Sequence, residues 1–238
     1  MMRSVPPTAS AHLSLGSAHF IADPTGALYW PEQRLLVVAD LHLEKGSAYA
    51  SRRVFLPPYD TGATLATLAA LIARHAPRCV LALGDSFHDG AAGDRLLAKD
   101  RAALVSLQSR REWIWVAGNH DPLPPSDLSG QHCREIMIGG IRFRHAADPV
   151  CEENEIAGHL HPVARVVGSV GSVRRRCFVS DGRRCILPAL GAYAGGLNLR
   201  DEAFAALFAR DDRFAQVHAH VLGRDRVYKV SHRRCLPD

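Results

Sequence analysis

Five short motifs occur in one order along the chain: Asp40-Leu41-His42, Gly84-Asp85, Gly118-Asn119-His120-Asp121, His145, and Gly158-His159-Leu160-His161-Pro162. Their polar side chains are carboxylates, imidazoles and one amide, with no thiolate among them. That mixture suits Mn²⁺, Fe or Zn²⁺ in a reactive centre rather than a structural zinc. Together they supply enough donors for two divalent ions about 3.5–4 Å apart, an arrangement that activates water against a phosphoester. Asp85, alone between the other motifs, is a natural bridging carboxylate.

Each motif follows an apolar run, and these runs must position it. Residues 35–39, 79–83 and 114–117 are strand-sized apolar stretches. Residues 27–30 and 35–39 read as a hairpin leading into the first motif. Residues 61–75 carry Leu65, Leu68, Leu71 and Ile72, and residues 94–110 carry Leu96, Leu97, Ala103, Leu104 and Leu107. Both spacings predict helices. With strands at 79–83 and 112–117, the order is strand, helix, strand, helix, strand, which implies parallel pairing and right-handed connections.

After Pro122 the pattern turns to short strands, at 135–138, 141–144, 155–157, 163–167, 177–180 and 185–187. A helix is expected at 201–209 and a closing hairpin from 214–222 with 227–230. The fold class is therefore α/β, with residues 1–12 as a tail and 13–238 as one domain. In open α/β sheets ligands collect beyond the carboxyl ends of the strands. Asp40, Asp85, Asn119 and His159 each follow a predicted strand and should share one edge. Asp40 and His42 are two residues apart, as are His159 and His161, so in an extended segment each pair projects to one side.

The bulk composition excludes several classes. The 238 residues are 47% hydrophobic and 22% charged, an ordinary globular balance. No apolar run approaches the ~20 residues of a membrane span. Residues 1–11 are polar and lack a secretory apolar region, so a cytoplasmic location is expected. Six cysteines are scattered without a C-x-x-C pair, which gives no support to a zinc ribbon or disulfide framework. Cys79 reads as a small apolar filler. The net charge of +5 includes paired arginines such as Arg52-Arg53 and Arg174-Arg175-Arg176. Such charge fits a polyanion partner or merely solvated faces, because the pairs are spread along the chain.

The ordered set D-x-H, G-D, G-N-H-D, H, G-H-x-H over residues 38–162 resembles the calcineurin-like metallophosphoesterase superfamily. Further segments resemble its ligase-associated DNA damage response (PdeM-like) subfamily. These are residues 27–31 (ALYWP), 39–46 (ADLHLEKG), 56–61 (LPPYDT), 84–89 (GDSFHD) and 188–198 (PALGAYAGGLN). The resemblance implies a four-layer α/β/β/α sandwich, two mixed sheets flanked by helices. It implies a Mn²⁺-dependent phosphodiesterase or nuclease in DNA repair, with a metal-bridging hydroxide attacking phosphorus and a repair ligase or helicase as associate. Asp40, His42, Asp85 and His161 would hold one ion; Asp85, Asn119, His145 and His159 the other. His120 would be the general acid and Asp121 would orient it. One departure is Ala146, where the superfamily often has glycine after the histidine.

Other residues divide less sharply. His88 follows Gly84-Asp85 closely enough to touch substrate or to support a ligand; Asp89 reads as a turn residue. Tyr193 with Gly195 and Gly196 fits the mouth of the site or a simple turn. His218-Ala219-His220 has the ligand spacing but lies in a longer strand pattern without a preceding glycine, so a structural or solvent-facing role is expected. His12, His19, His75, His132 and His232 have no companion at ligand spacing and read as surface residues. A nucleotide or pyrophosphate phosphoesterase and a non-catalytic scaffold are the competing functions; the complete ligand set and His120 argue against the scaffold. A membrane partner is not expected, since no basic amphipathic helix is evident.

Overall fold

The computed structural model describes residues 11–168, 171–208 and 216–238. Ala11–Leu15 (β1), Ala18–Ala22 (β2), Leu28–Trp30 (β3) and Leu35–Val38 (β4) pair antiparallel in order. Lys45–Ser51 (α1) and Asp60–His75 (α2) lead to Cys79–Leu83 (β5). Ala92–Arg95 (α3) and Ala98–Gln108 (α4) lead to Glu112–Val116 (β6), and Gln131–Cys133 (β7) follows. From β4 to β7 every pairing is parallel, which makes the first sheet mixed.

The second sheet is built from Glu135–Ile138 (β8), Ile141–Arg144 (β9), Asn154–Ala157 (β10), Pro162–Gly168 (β11), Gly171–Ser180 (β12), Arg184–Ile186 (β13) and Leu197–Asn198 (β14). After Glu202–Phe208 (α5), the hairpin His218–Leu222 (β15) and Val227–Ser231 (β16) joins β12. The spatial order is β14-β11-β12-β13-β10-β9-β8, and β9, β10 and β13 run parallel.

Two-residue periodicity explains the layering. Leu35, Val37, Leu81, Leu83, Ile114 and Val116 face one way, into a core shared with Ile141, Phe143, Ile156 and Phe178 of the second sheet. Leu36, Val38, Val80, Ala82, Trp113 and Trp115 face the other way, onto Leu65, Leu68 and Leu71 of α2 and Leu104 of α4. The central strands are apolar throughout because both faces are covered. On the far side of the second sheet, Cys177, Val179, Ile186 and Ala219 pack against Phe204 and Phe208 of α5. The result is the expected α/β/β/α order of layers. No described helix is long and apolar enough to cross a membrane.

Local chemistry sets the element ends. Helix α2 opens with Asp60, carries Arg74 and His75 in its last turn, and stops at Ala76 in a left-handed cap (φ 43°) before Pro77. Charges so placed complement the helix dipole. The helix expected over 94–110 is two pieces. Leu96 and Leu97 are extended (ψ 118° and 143°), which turns Leu96 into the core under α2 and α4. Strands β1, β2, β7 and β14 and helix α1 were not anticipated, and β1 begins at Ala11, inside the stretch read as a tail. Residues 214–215 of the expected closing strand and residue 209 of the expected helix lie outside the described residues.

Two surface expectations are corrected. His75 is bonded to buried Asp23 at 3.0 Å, and His232 is only 2% exposed under the last strand. Both are held by neighbours distant in sequence, which spacing within the chain does not reveal.

Candidate metal centre

Strands β4, β5 and β6 are parallel and end together, releasing Asp40, Asp85 and Asn119 at one edge. Strands β9 and β10, parallel in the facing sheet, release His145 and His159. The first two loops run side by side: His42 N–H donates to the Asp85 carbonyl and Leu43 N–H to the Ser86 carbonyl, both at 2.9 Å. The two sheets are locked together at the site by Asp40, whose Oδ2 accepts the His159 N–H at 3.0 Å.

Two clusters result. Asp40, His42 and His161 place ligand atoms within 4.8 Å of one another, and so do Asp85, His145 and His159. Each cluster draws from both sheets. Asn119 belongs with the second, its Oδ1 2.8 Å from His145 Nε2. Asp85 stands beside His145 in that cluster, Oδ1 to Nε2 at 3.5 Å.

The ligands do not stand in extended segments. Asp40, His42, Asp85, His159 and His161 all have positive φ, between 43° and 69°. This left-handed geometry costs on the order of 1–3 kcal/mol per residue and clusters at functional sites. Aspartate and histidine tolerate it better than most side chains. It turns Asp40 and His42 onto one cluster within a tight loop and lets His159 and His161 reach different clusters. Two glycines make room. Gly84 has φ 75°, and a Cβ there would lie 2.6 Å from the His145 ring; at Gly118 a Cβ would lie 2.2 Å from Asp85 N.

The donor chemistry fits divalent ions. His145 Nδ1–H donates to the Leu83 carbonyl at 2.9 Å, which leaves Nε2 with a lone pair. That lone pair faces Asn119 Oδ1 and Asp85 Oδ1, and His159 Nδ1 stands 3.1 Å away. Facing acceptors without a cation repel. In the other cluster His42 Nε2 and His161 Nε2 face each other at 3.3 Å, and His161 Nε2 is 3.2 Å from Asp40 Oδ1. Burial, then the His161 imidazole and Lys45, push the His42 pKa down to about 2, so this ring is a neutral ligand.

Beside the clusters stands His120. Its ring is 5.4 Å from that of His42, its Nε2 is 3.9 Å from Asp85 Oδ2, and its side chain is 42% exposed. Its backbone N–H donates to Asp85 Oδ1 at 2.9 Å. The expected orientation by Asp121 is not what holds the ring: Nδ1 lies 3.0 Å from the His88 carbonyl. Asp121 is buried and accepts the Phe87 N–H at 2.9 Å, so it braces the loop that carries Asp85. Burial pushes its carboxyl up to about 7, against that hydrogen bond and aided by the Asp85 charge.

His88 stacks on His120 at 5.2 Å and meets His42 edge-on at 5.7 Å, so the structure brings it to the site. Burial, then the charge of Lys45, lowers its pKa; Arg52 acts in the same direction. Tyr193 is placed differently. Its hydroxyl donates to the Pro57 carbonyl at 2.7 Å, tying the 191–194 segment to the 52–59 loop. Asp89 forms the expected turn, accepting the Ala91 N–H at 3.0 Å. His218 and His220 join neither cluster, and burial lowers His220 to about 4.

The calcineurin-like phosphoesterase family model matches residues 33–219, which spans both clusters. The chain belongs to the calcineurin-like phosphoesterase family. Among solved structures, a nuclease of Pseudomonas putida, MPE, is 25% identical, covers 93% of this chain and 100% of its own, and superposes with a TM-score of 0.69. Yfce, a phosphoesterase from E. coli, is 15% identical and covers 83% of this chain and 98% of its own, with a TM-score of 0.37. No curated protein matches. This calcineurin-like chain is a metal-dependent phosphoester hydrolase, and its two clusters offer ligand sets that could hold a divalent metal.

Proposed function

We propose that this chain is a dinuclear-metal phosphodiesterase that cleaves nucleic acid in DNA repair. The observation that carries the reading is the pair of ligand clusters with His120 beside them, its Nε2 3.9 Å from Asp85 Oδ2. The similar Pseudomonas putida protein, itself described as a nuclease, and the net charge of +5 support a polyanionic substrate.

Asp40, His42 and His161 would hold one ion and Asn119, His145 and His159 the other, with Asp85 shared. Ions bound there would supply the acidity that brings the pKa of water toward neutrality and the charge that offsets phosphoryl oxygens. His120, tethered through Nδ1, presents Nε2 to the leaving oxygen and gives it a proton. Asp121 holds the Asp85 loop in register. Mn²⁺ is the proposed ion for these oxygen and imidazole donors, with Fe and Zn²⁺ as competitors. Residues 13–238 act as one domain in the cytoplasm, and a repair ligase or helicase is the proposed associate.

The test is hydrolysis by the purified protein, with Mn²⁺, Fe²⁺ or Zn²⁺, of bis(4-nitrophenyl) phosphate, 4-nitrophenyl phosphate, single-stranded DNA and duplex DNA. Diester and DNA cleavage is expected, fastest with Mn²⁺. Diesterase activity without DNA cleavage replaces the nuclease with a small-molecule phosphoesterase. Inactivity with every metal supports a scaffold.

A further inference from the structure

Residues 52–59 join α1 to α2 next to the metal clusters and expose an unusual set of side chains. Phe55 is 83% exposed, Tyr59 74% and Val54 49%. Arg52 and Arg53 are also exposed, and among the described residues neither they nor Lys45 is in an ion pair. Apolar surface held in water is unfavourable, and aromatic rings gathered on one short loop mark a surface for a partner.

The loop is pre-ordered. At its base Gly46 N–H donates to Asp60 Oδ2 and Glu44 N–H to Thr61 Oγ1, both at 2.9 Å. Pro57 and Pro58 restrict its backbone, and the Tyr193 hydroxyl holds the Pro57 carbonyl. A row of rings joins it to the centre: His42 to His88 at 5.7 Å, then His88 to Tyr49 at 5.8 Å, and Tyr49 accepts the Arg52 N–H at its carbonyl.

We propose that the 52–59 loop is a base-stacking platform for single-stranded nucleic acid. Phe55 and Tyr59 take unpaired nucleobases flanking the scissile phosphodiester, and Lys45, Arg52 and Arg53 take the neighbouring phosphates. Rings that stack bases, interleaved with cations that follow the backbone, are the recurring apparatus for single strands. Duplex bases are already stacked on one another and cannot use it. The proposal rests on the phosphodiesterase reading and deepens it by naming the substrate class.

The experiment uses the full chain in EDTA, with short single-stranded DNA and RNA carrying 2-aminopurine, and duplex DNA for comparison. Binding is read by anisotropy and stacking by quenching of 2-aminopurine emission. Phe55→Ala and Tyr59→Ala should each weaken single-strand binding about 5- to 100-fold. Quenching should be lost in the double variant and should largely survive in Phe55→Trp. The DNA and RNA arms show which strand is preferred. With Mn²⁺, the double variant should lose far less rate on bis(4-nitrophenyl) phosphate, which has no neighbouring nucleotides for the loop to hold, than on single-stranded DNA, and circular dichroism should match. Wild-type binding and quenching in the double variant overturn the platform alone. Failure of the wild type to cleave either diester overturns the phosphodiesterase reading, and the platform with it.

Discussion

The backbone carbonyl of His88 lies 3.0 Å from His120 Nδ1, and the two rings stack 5.2 Å apart. A main-chain acceptor therefore sets the orientation of the exposed His120 imidazole beside the clusters. The opposite nitrogen is left to meet substrate.

His120→Ala should retain both ions and lose about 10²- to 10⁴-fold in kcat, the usual range for a positioned general acid. The loss should shrink with 4-nitrophenolate esters, whose leaving group needs no proton. Metal analysis and kcat on both ester types check this, and a His120→Ala protein with normal turnover on alkyl diesters removes the assignment.

Metal content should follow the two clusters. Wild type should bind two Mn²⁺ per chain, and His42→Ala and His145→Ala should each lose the ion of their own cluster. Asp85→Ala should weaken both, because the proposed bridge touches each. Elemental analysis after gel filtration reads the result, and a fully loaded Asp85→Ala contradicts the bridge.

Gly118→Ala places a methyl 2.2 Å from Asp85 N and 2.5 Å from Asp121 Oδ1, so the loop must move. Loss of the second-cluster ion and of activity is expected, with a lower melting temperature. Gly195→Ala, which meets nothing within 4 Å, is the control and should behave as wild type.

Asp23 provides a pH test away from the metals. Burial alone would raise its carboxyl, but hydrogen bonds from His75, Thr25 and Arg74 outweigh it and hold the folded pKa well below the usual carboxylate range. A depressed carboxylate adds stability above its unfolded pKa and loses it as pH falls through the folded value. Asp23→Asn should therefore be less stable than wild type by roughly 1–3 kcal/mol at pH 7. The gap should narrow below about pH 4. Urea midpoints across pH measure it, and a constant gap rejects the charge explanation.

The motif ligands were legible because each follows a strand whose apolar run is plain, as Asp85 follows 79–83. Continuous hydrophobicity over 79–83 marks a strand covered on both faces, whereas the four-layer order was implied by the family resemblance. The left-handed loops were not, because Asp40 and His161 tolerate that backbone without a glycine to announce it. Leu96 and Leu97 fit a helical period, yet burial of Leu96 accompanies a break at these two residues, between Arg95 and Ala98. Strands β1 and β2 alternate buried Leu13, Leu15, Phe20 and Ala22 with exposed His12, Ser14 and His19. That two-residue signal is present in the sequence but short in each strand. The His120–His88 contact joins a side chain to a main-chain oxygen 32 residues away, which no side-chain pattern encodes.

Each ligand cluster takes residues from both sheets, and His42 and His161 are 119 residues apart in the chain. An ion seated there is a cross-link. All six cysteines are free, so among the described residues no covalent staple does this work. An ion that binds only the folded site stabilises it by mass action, here across segments 119 residues apart. The centre thus ties catalysis to endurance: a cell short of its metal would hold not merely an idle enzyme but a chain whose two halves come apart more easily.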